Sequence, residues 1–315
     1  MIAIVCPGQG SQTPGFLTPW LELAHFAESI DLQQEASGLN LRGFGTTADA
    51  DTIRDTAVAQ PLIVAAGVAT LASLFETNEL SGKTLANAGV YGIAGHSVGE
   101  ITAAVASGVF SVTDGIRFVR ERGNAMAKAA ALEVTSMAAV LGGDQAAVEA
   151  RLADLGLEPA NYNGAGQIVA AGSAAAIAAL VESPVAGTRV VPLQVAGAFH
   201  TRFMAAAVDT LAAYAGQVSV ANPGTTLWSN HGGKIVDSGA DFVSLLVSQV
   251  KSPVRWDLCM NAMVAAGVTA IVEVAPAGTL TGLAKRGMPG VETLAIKTPE
   301  QLDAARVLIA NHSAK

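Results

Sequence analysis

Residues 95–99 read Gly-His-Ser-Val-Gly and stand directly between a strand-like run and a helical run. The run at 90–94 predicts a buried strand, and the run at 101–109 predicts a helix. A G-x-S-x-G sequence in this context is typical of a nucleophile elbow, because small neighbours let the backbone turn sharply and lift the hydroxyl clear of a sheet. The motif therefore predicts an α/β fold with the Ser97 hydroxyl presented at the end of a strand. The alternative is an ordinary strand-to-helix turn, in which Gly and Ser are also common.

Strand-like and helical runs alternate along most of the chain, which favours a mostly parallel sheet covered by helices on both faces. Besides 90–94, strands are predicted at 2–6, 227–230, 269–274 and 293–296, and helices at 113–128, 240–250 and 256–267.

The pattern changes in the middle of the chain, where the elements follow in the order strand, helix, strand, strand, helix, strand. They are predicted at 136–141, 145–155, 159–163, 167–171, 174–181 and 189–195. This is the order of a split-βαβ, ferredoxin-like unit. We expect a small subdomain at 131–196, inserted into a catalytic α/β core that comprises 1–130 and 197–315.

Composition narrows the classes of protein that remain. The chain has 315 residues, of which 51% are hydrophobic and 14% charged, so it can bury a large core and a disordered chain is excluded. The net charge of −8 and the lack of a Lys/Arg run argue against a nucleic-acid partner. The two cysteines, Cys6 and Cys259, lack the spacing of a disulfide framework or a metal site. No cationic segment precedes the first apolar run, which predicts a cytoplasmic protein without an export signal.

Residues 57–75 contain no charged side chain and raise the question of a membrane span. Gln60 and Pro61 suit a first helical turn, and the remaining helix at 62–75 would then span about 21 Å. That length is short of the roughly 30 Å hydrocarbon core of a bilayer. We therefore expect a helix packed inside the protein and no membrane partner.

A nucleophilic serine needs a general base, and the chain has five histidines, at positions 25, 96, 200, 231 and 312. His96 lies inside the elbow, where its side chain would face away from that of Ser97. His200 follows the last strand of the predicted subdomain, where the chain returns to the main sheet. His200 is therefore the best candidate for the base.

Arg122 is predicted to point into the apolar face of its helix. At 100° per residue it lies beside Phe118 and Met126, whereas Arg117 lies on the opposite side. A buried guanidinium requires either a structural carboxylate or an anionic ligand. Because this helix follows the elbow helix in sequence, Arg122 beside Ser97 would be able to clamp a substrate carboxylate with two N–H donors.

The first strand is followed by a glycine-punctuated loop, PGQGSQ at 7–12. Because position 13 is Thr13, the loop does not match the G-x-G-x-x-G fingerprint of a phosphate-binding turn. An oxyanion hole commonly takes one N–H from the residue after the nucleophile and a second from a loop that follows an early strand. Val98 and Gln9 are the candidates for these two donors.

Together these motifs resemble those of the malonyl-CoA:acyl carrier protein transacylases, relatives of the acyltransferase domains of fatty acid and polyketide synthases. The matching segments extend over nearly the whole chain. They are PGQGSQ at 7–12, QP at 60–61, GHSVGE at 95–100, RG at 122–123, Asn163 with GQIV at 166–169, GAFH at 197–200, Gln249 with PVRW at 253–256, and GTLTGLAKR at 278–286. The segment NYNGAGQ at 161–167 differs slightly from the commoner NFNSPGQ.

The resemblance implies an α/β-hydrolase-like core with a ferredoxin-like insert. It implies that Ser97 forms a malonyl ester with His200 as its general base, oriented by a carbonyl at Gln249 in place of an acidic triad member. By the same resemblance Arg122 would hold the malonate carboxylate, and the backbone N–H groups of Gln9 and Val98 would form the oxyanion hole.

Two further positions are assigned to the substrate by the resemblance alone. Phe199 corresponds to the malonyl-selecting form of its motif, because a bulky ring leaves little room for an α-methyl group, and Asn163 lies in a matching segment. The resemblance further implies malonyl-CoA and acyl carrier protein as partners, in fatty acid or polyketide synthesis, with no metal or redox cofactor. The chain is expected to act as a monomer.

Three alternatives stay open at this point. A serine hydrolase on the same core would need an acid between Ser97 and His200, and the chain offers acids at 114, 121, 133 and 144. A catalytically silent scaffold would bind carrier protein or CoA without a covalent adduct. The malonyl-transfer subunit of a malonate decarboxylase would share the same motifs.

Overall fold

The computed structural model describes residues 1–195 and 197–313; Ala196, at the end of the predicted subdomain, and residues 314–315 lie outside the described residues. The strands are β1 (Ile2–Cys6), β2 (Gly92–Gly95), β3 (Thr135–Gly142), β4 (Glu158–Gly164), β5 (Gln167–Ser173), β6 (Thr188–Leu193), β7 (Thr226–Trp228), β8 (Val254–Arg255), β9 (Ala270–Glu273) and β10 (Glu292–Ala295).

The α-helices are α1 (Ala24–Ser37), α2 (Leu41–Thr46), α3 (Ala50–Arg54), α4 (Thr56–Phe75), α5 (Gly82–Asn87), α6 (Gly99–Ser107), α7 (Val112–Ala130), α8 (Gln145–Asp154), α9 (Ala174–Glu182), α10 (Ala205–Ala215), α11 (Gly239–Gln249), α12 (Trp256–Ala265), α13 (Thr279–Gly287) and α14 (Leu302–His312). Every strand and helix named from the sequence has a counterpart, with ends shifted by one or two residues in most cases.

The large sheet has five strands in the order β10-β9-β1-β2-β7, and every pairing in it is parallel. Its central strand β1 is buried throughout, as the unbroken apolar run IAIVC requires. Ile2 and Ile4 face one core cluster, whereas Ala3 and Val5 face another. The predicted parallel sheet with helices on both faces is therefore confirmed. Because all strands run the same way, β1, β2 and β9 end at one edge, where ligands of such folds bind.

The small sheet has the order β6-β3-β5-β4-β8. Its first four strands come from the middle of the chain, pair antiparallel and alternate with α8 and α9 in the predicted order. The fifth strand, β8, comes from 254–255 and pairs parallel with β4. The sequence did not predict β8, because two residues are too few to show a period.

Helix α4 differs from its prediction. It begins at Thr56, where the Asp55 side chain accepts a hydrogen bond from the Ala57 N–H, so Pro61 lies inside the helix and not in its first turn. The 20-residue helix is long and apolar enough to cross a membrane by length and composition, which makes the length argument from the sequence wrong. In the fold, 89% of its most apolar 18-residue window is buried inside the protein.

Candidate active site

The turn between β2 and α6 raises Ser97 above the edge of the large sheet. Ser97 has a φ of +53°, in the left-handed region. A Cβ at Gly95 would overlap the backbone of Gly99 and Glu100, and a Cβ at Gly99 would overlap the carbonyl of Cys6. The turn therefore requires both glycines of the motif, and the strained backbone at the serine is of the kind that persists at functional sites.

Ser97 and His200 lie in hydrogen-bond contact. Ser97 Oγ is 2.7 Å from His200 Nε2, and His200 Nδ1 is 2.8 Å from the backbone carbonyl of Gln249. A carbonyl oxygen can only accept, so Nδ1 carries the proton and Nε2 is left to accept the serine proton. The Gln249 carbonyl lies at the C-terminus of α11, where helix carbonyls lack intrahelical partners, and it accepts the Ser252 N–H at 3.0 Å as well as the proton of His200.

The protonation state of His200 follows from its surroundings. His200 is 4% exposed, and burial lowers its pKa to about 3, with the positive charge of Arg122 acting in the same direction. The imidazole is therefore neutral at pH 7 and able to accept a proton.

Arg122 is fully buried on the apolar face of α7, which confirms that it points inward. Its Nη1 donates to Gln60 Oε1 at 2.7 Å, and its Nη2 donates to Gln249 Oε1 at 3.0 Å. Nη2 also lies 3.4 Å from Ser97 Oγ. Among the described residues, Arg122 forms no salt bridge within 4.0 Å. Burial lowers its pKa to about 10, and Glu100 opposes that shift, so the guanidinium remains charged at pH 7.

A network of buried side chains lies beneath the elbow. Asn230 accepts the Ser97 N–H on Oδ1 at 2.8 Å and donates from Nδ2 to the Gly95 carbonyl at 2.7 Å. Glu100 accepts the Asn230 N–H at 2.7 Å and also accepts from Gln249 Nε2. The network thus joins the backbone of the serine to the amide that contacts Arg122.

A cleft opens above Ser97 between the two sheets. It is lined by Gln9, Gln60, His96, Ser97, Val98, Met126, Met137, Asn161, Leu193, Val195, Phe199 and His200. The structure thus brings the predicted residues Gln9, Val98 and Phe199 to the serine. In the described part of the chain, no protein group accepts a hydrogen bond from the N–H of Gln9 or of Val98. Both amides are available to a ligand.

Asn163, predicted as a substrate contact, does not line the cleft. Its Oδ1 is 2.9 Å from Nε2 of His96, and its neighbour Asn161 lines the cleft instead. Asn163 therefore holds the histidine of the elbow motif. His96 thus contacts β4 of the small sheet, and it also lines the cleft.

None of the four acids offered for a serine hydrolase contacts His200, and Glu133 is exposed at the surface. Asp114 pairs with Ser111 at the start of α7, Glu121 pairs with Arg120, and Asp144 caps α8. In the described part of the chain, His200 Nδ1 contacts a carbonyl and not a carboxylate.

The roles of Glu100, Asn230, Gln60 and Asn161 were not predictable from the sequence. The signals were weak, because a polar residue at the start of a helix or after a strand is ordinary. Gln60 belongs to the matching QP segment at 60–61, but that segment was interpreted only as the first turn of a helix. Among the described residues there is no group of three or more His, Cys, Asp or Glu side chains that could hold a metal ion.

Comparison with known proteins agrees with this geometry. Residues 3–302 match the model of the acyl transferase domain family. The malonyl CoA-acyl carrier protein transacylase of Mycobacterium tuberculosis is 51% identical over 303 residues, which cover 96% of this chain and 98% of that protein.

Solved structures show the same fold. The crystal structure of MCAT from Mycobacterium tuberculosis has a TM-score of 0.91 at 50% identity, covering 97% of this chain and 99% of that one. A malonyl-transacylase solved in complex with its type II PKS acyl-carrier protein has a TM-score of 0.88 at 26% identity, covering 98% and 99%. This chain therefore belongs to the acyl transferase family, among the malonyl-CoA:acyl carrier protein transacylases.

Proposed function

We propose that this chain transfers the malonyl group from malonyl-CoA to the phosphopantetheine thiol of acyl carrier protein through a malonyl ester on Ser97. The observation that carries the proposal is the position of Arg122, a fully buried guanidinium whose Nη2 lies 3.4 Å from a serine that is itself 2.7 Å from a neutral histidine. A carboxylate on an acyl group attached to Ser97 would meet this cation. A neutral acyl group would leave it without an anion.

In the first half-reaction His200 Nε2 takes the proton of Ser97 Oγ as the oxygen attacks the thioester carbonyl. The N–H groups of Gln9 and Val98 receive the negative charge that develops on the carbonyl oxygen. Collapse of the tetrahedral intermediate breaks the C–S bond. The CoA thiolate then takes the proton from His200 and leaves.

The second half-reaction reverses these steps with a new thiol. The phosphopantetheine thiol gives its proton to His200 and attacks the ester carbonyl. The bond to Ser97 Oγ breaks, and the proton returns to the serine. The Gln249 carbonyl keeps His200 in the required tautomer throughout.

We propose that Phe199 directly and Asn163 indirectly define the substrate pocket. The ring of Phe199 lines the cleft beside His200 and would exclude an α-methyl group, with an effect on the order of 1–3 kcal/mol. We propose an indirect role for Asn163, which would fix His96 and through it the wall of the cleft.

We further propose that 131–196 is a ferredoxin-like subdomain on an α/β-hydrolase-like core formed by 1–130 and 197–315. The order β6-β3-β5-β4 with antiparallel pairing, together with α8 and α9, supports this division. We propose a cytoplasmic monomer without nucleic-acid or membrane partners, on the net charge of −8 and two cysteines that are free and buried.

Intact-mass measurement after brief exposure to malonyl-CoA tests the proposal. We expect one malonyl increment on the native chain and none on Ser97→Ala, whose transfer rate should fall by about 10⁶-fold. Holo acyl carrier protein added to the loaded enzyme should become malonylated. Absence of the increment from the native chain would refute covalent transfer, and release of free malonate in place of malonyl carrier would favour a hydrolase.

A further inference from the structure

We propose that Glu100 is a positioning residue for malonyl recognition: its buried carboxylate fixes the side-chain amide of Gln249, and that amide in turn holds Arg122 in place for the substrate carboxylate. The proposal rests on the proposed function. It gives a role to a charged side chain that the transfer steps themselves do not use.

The first step is the orientation of the Gln249 amide. Its Oε1 accepts from Arg122 Nη2 at 3.0 Å, whereas its Nε2 donates to Glu100 and lies 3.3 Å from Asn230 Oδ1. The identity of Asn230 Oδ1 is fixed, because it accepts the backbone N–H of Ser97. Gln249 therefore has acceptors on one side and a cation on the other, and only one orientation satisfies both.

The second step is the charge on Glu100. Its neighbours donate: the Asn230 N–H, Gln249 Nε2 and the Ser229 side chain. Burial raises the pKa of the Glu100 carboxyl to about 8, while the bonds from Asn230 and Ser229 and the charge of Arg122 oppose the rise. A neutral carboxyl would need an acceptor for its own proton, and the groups that contact Glu100 here are donors. A carboxylate is the form that accepts from all of these donors at once.

The third step is burial. Glu100 is 1% exposed and Arg122 is fully buried, so their opposite charges compensate each other across one amide group in a region from which water is largely excluded. Removal of the carboxylate would leave a buried cation and an amide free to turn. Arg122 would then lose one of its two amide partners.

The hydrogen bonds of Glu100 form two branches: the Arg122 branch runs through Gln249, and the Ser97 branch runs through Asn230. Glu100 Oε1 accepts the Asn230 N–H, and the Asn230 side chain holds both Ser97 and Gly95. In Glu100→Gln the remaining carbonyl oxygen can still accept the Asn230 N–H. The new NH₂ group, however, would face Gln249 Nε2, donor against donor. The substitution therefore disturbs the Arg122 branch and spares the Ser97 branch.

The experiment compares acylation of Ser97 by malonyl-CoA with acylation by p-nitrophenyl acetate, which carries no carboxylate. For Glu100→Gln we expect the second-order rate constant for malonyl-CoA to fall roughly 10- to 100-fold, the scale of a lost charge-assisted hydrogen bond. The rate constant for p-nitrophenyl acetate should fall far less. The ratio of the two constants is the readout, because general loss of folded protein lowers both equally.

Glu273→Gln is the matched control. Glu273 is also a fully buried carboxylate, but its partners are Leu280 and Thr281 at the start of α13. Its substitution should leave the ratio unchanged. If Glu100→Gln does not fold, Glu100→Asp replaces it, since the shorter carboxylate cannot span both partners and should shift the ratio in the same direction.

The outcomes separate the two proposals. A folded Glu100 variant whose ratio stays within twofold of the native chain would overturn the positioning role. Failure of the native chain to take a malonyl group from malonyl-CoA would instead overturn the proposed function.

Discussion

Two buried glutamates lie near the ends of the two strands that flank β1, Glu273 at the end of β9 and Glu100 in the first turn of the helix that follows β2, and the two carboxylates have different surroundings. Glu273, the last residue of β9, accepts from the N–H groups of Leu280 and Thr281 and from the Thr281 hydroxyl, each at 2.9 Å. All of these donors belong to the helix that follows. The Glu273 carboxylate therefore links the end of β9 to the start of α13.

After β2, Glu100 accepts from groups that are distant in sequence, Asn230 and Gln249. Those partners go on to contact Ser97 and Arg122, which face the cleft or lie directly behind it. The comparison shows that a buried carboxylate does not by itself mark a site. The two carboxylates differ in their partners: those of Glu273 belong to the adjacent helix, whereas those of Glu100 contact Ser97 and Arg122, the groups proposed to take part in the reaction.

Among the variants that test whether the residues around Glu100 serve catalysis, His200→Ala should lower the acylation rate the most. Loss of the general base should lower the rate of Ser97 acylation by malonyl-CoA by about 10²- to 10⁴-fold, because the serine proton has no acceptor. Stopped-flow or quenched mass measurements give the rate. His312→Ala, on α14, serves as the control and should stay near the native rate. A loss below tenfold in His200→Ala would mean that another group removes the proton.

Arg122→Ala should produce the next largest effect, and a selective one. Acylation by malonyl-CoA should fall about 10- to 100-fold, whereas acylation by p-nitrophenyl acetate should change little, because only the first reagent carries a carboxylate. Arg117→Ala, on the exposed face of the same helix, is the matched control. Equal losses with both reagents would show that Arg122 supports the serine turn and not the substrate.

Glu273→Gln should act on stability without acting on catalysis. An amide NH₂ would replace one acceptor among three donors, and the lost hydrogen bond should cost about 1–3 kcal/mol of unfolding free energy. Denaturant unfolding measures that change, and the transfer rate per folded molecule should stay within twofold. A selective loss of malonyl transfer in Glu273→Gln would contradict the proposal that only Glu100, and not Glu273, supports substrate recognition.

The smallest effect expected is that of pH on Ser97 acylation. The pKa of His200 is lowered to about 3, so the base form is lost only as pH falls toward that value. The rate with p-nitrophenyl acetate should therefore change less than twofold between pH 7 and pH 5. A fall with a midpoint near pH 6.5 would indicate a solvated histidine and a more open site.

Much of the fold was readable from local patterns. The buried run of β1, the elbow between β2 and α6, and the order of elements in the small sheet each have a period or a motif that depends on neighbouring residues alone. The start of α4 was misplaced because Pro61 was taken as a first-turn signal, whereas the cap at Asp55 begins the helix earlier. The inward direction of Arg122 followed from helical geometry.

The sequence by itself determined that Arg122 points inward, and it predicted Ser97 as the nucleophile and His200 as its base, because each is carried by a motif, by its place after a strand or by the face of one helix. Only the tertiary structure decided which groups complete the site. Glu100 lies 130 residues from Asn230 and 149 from Gln249 along the chain, and Asn163 contacts His96 and not the cleft. The physical reason is that the partner of a buried polar group is chosen by three-dimensional packing. Burial makes such a partner necessary, but no local pattern specifies where along the chain it comes from.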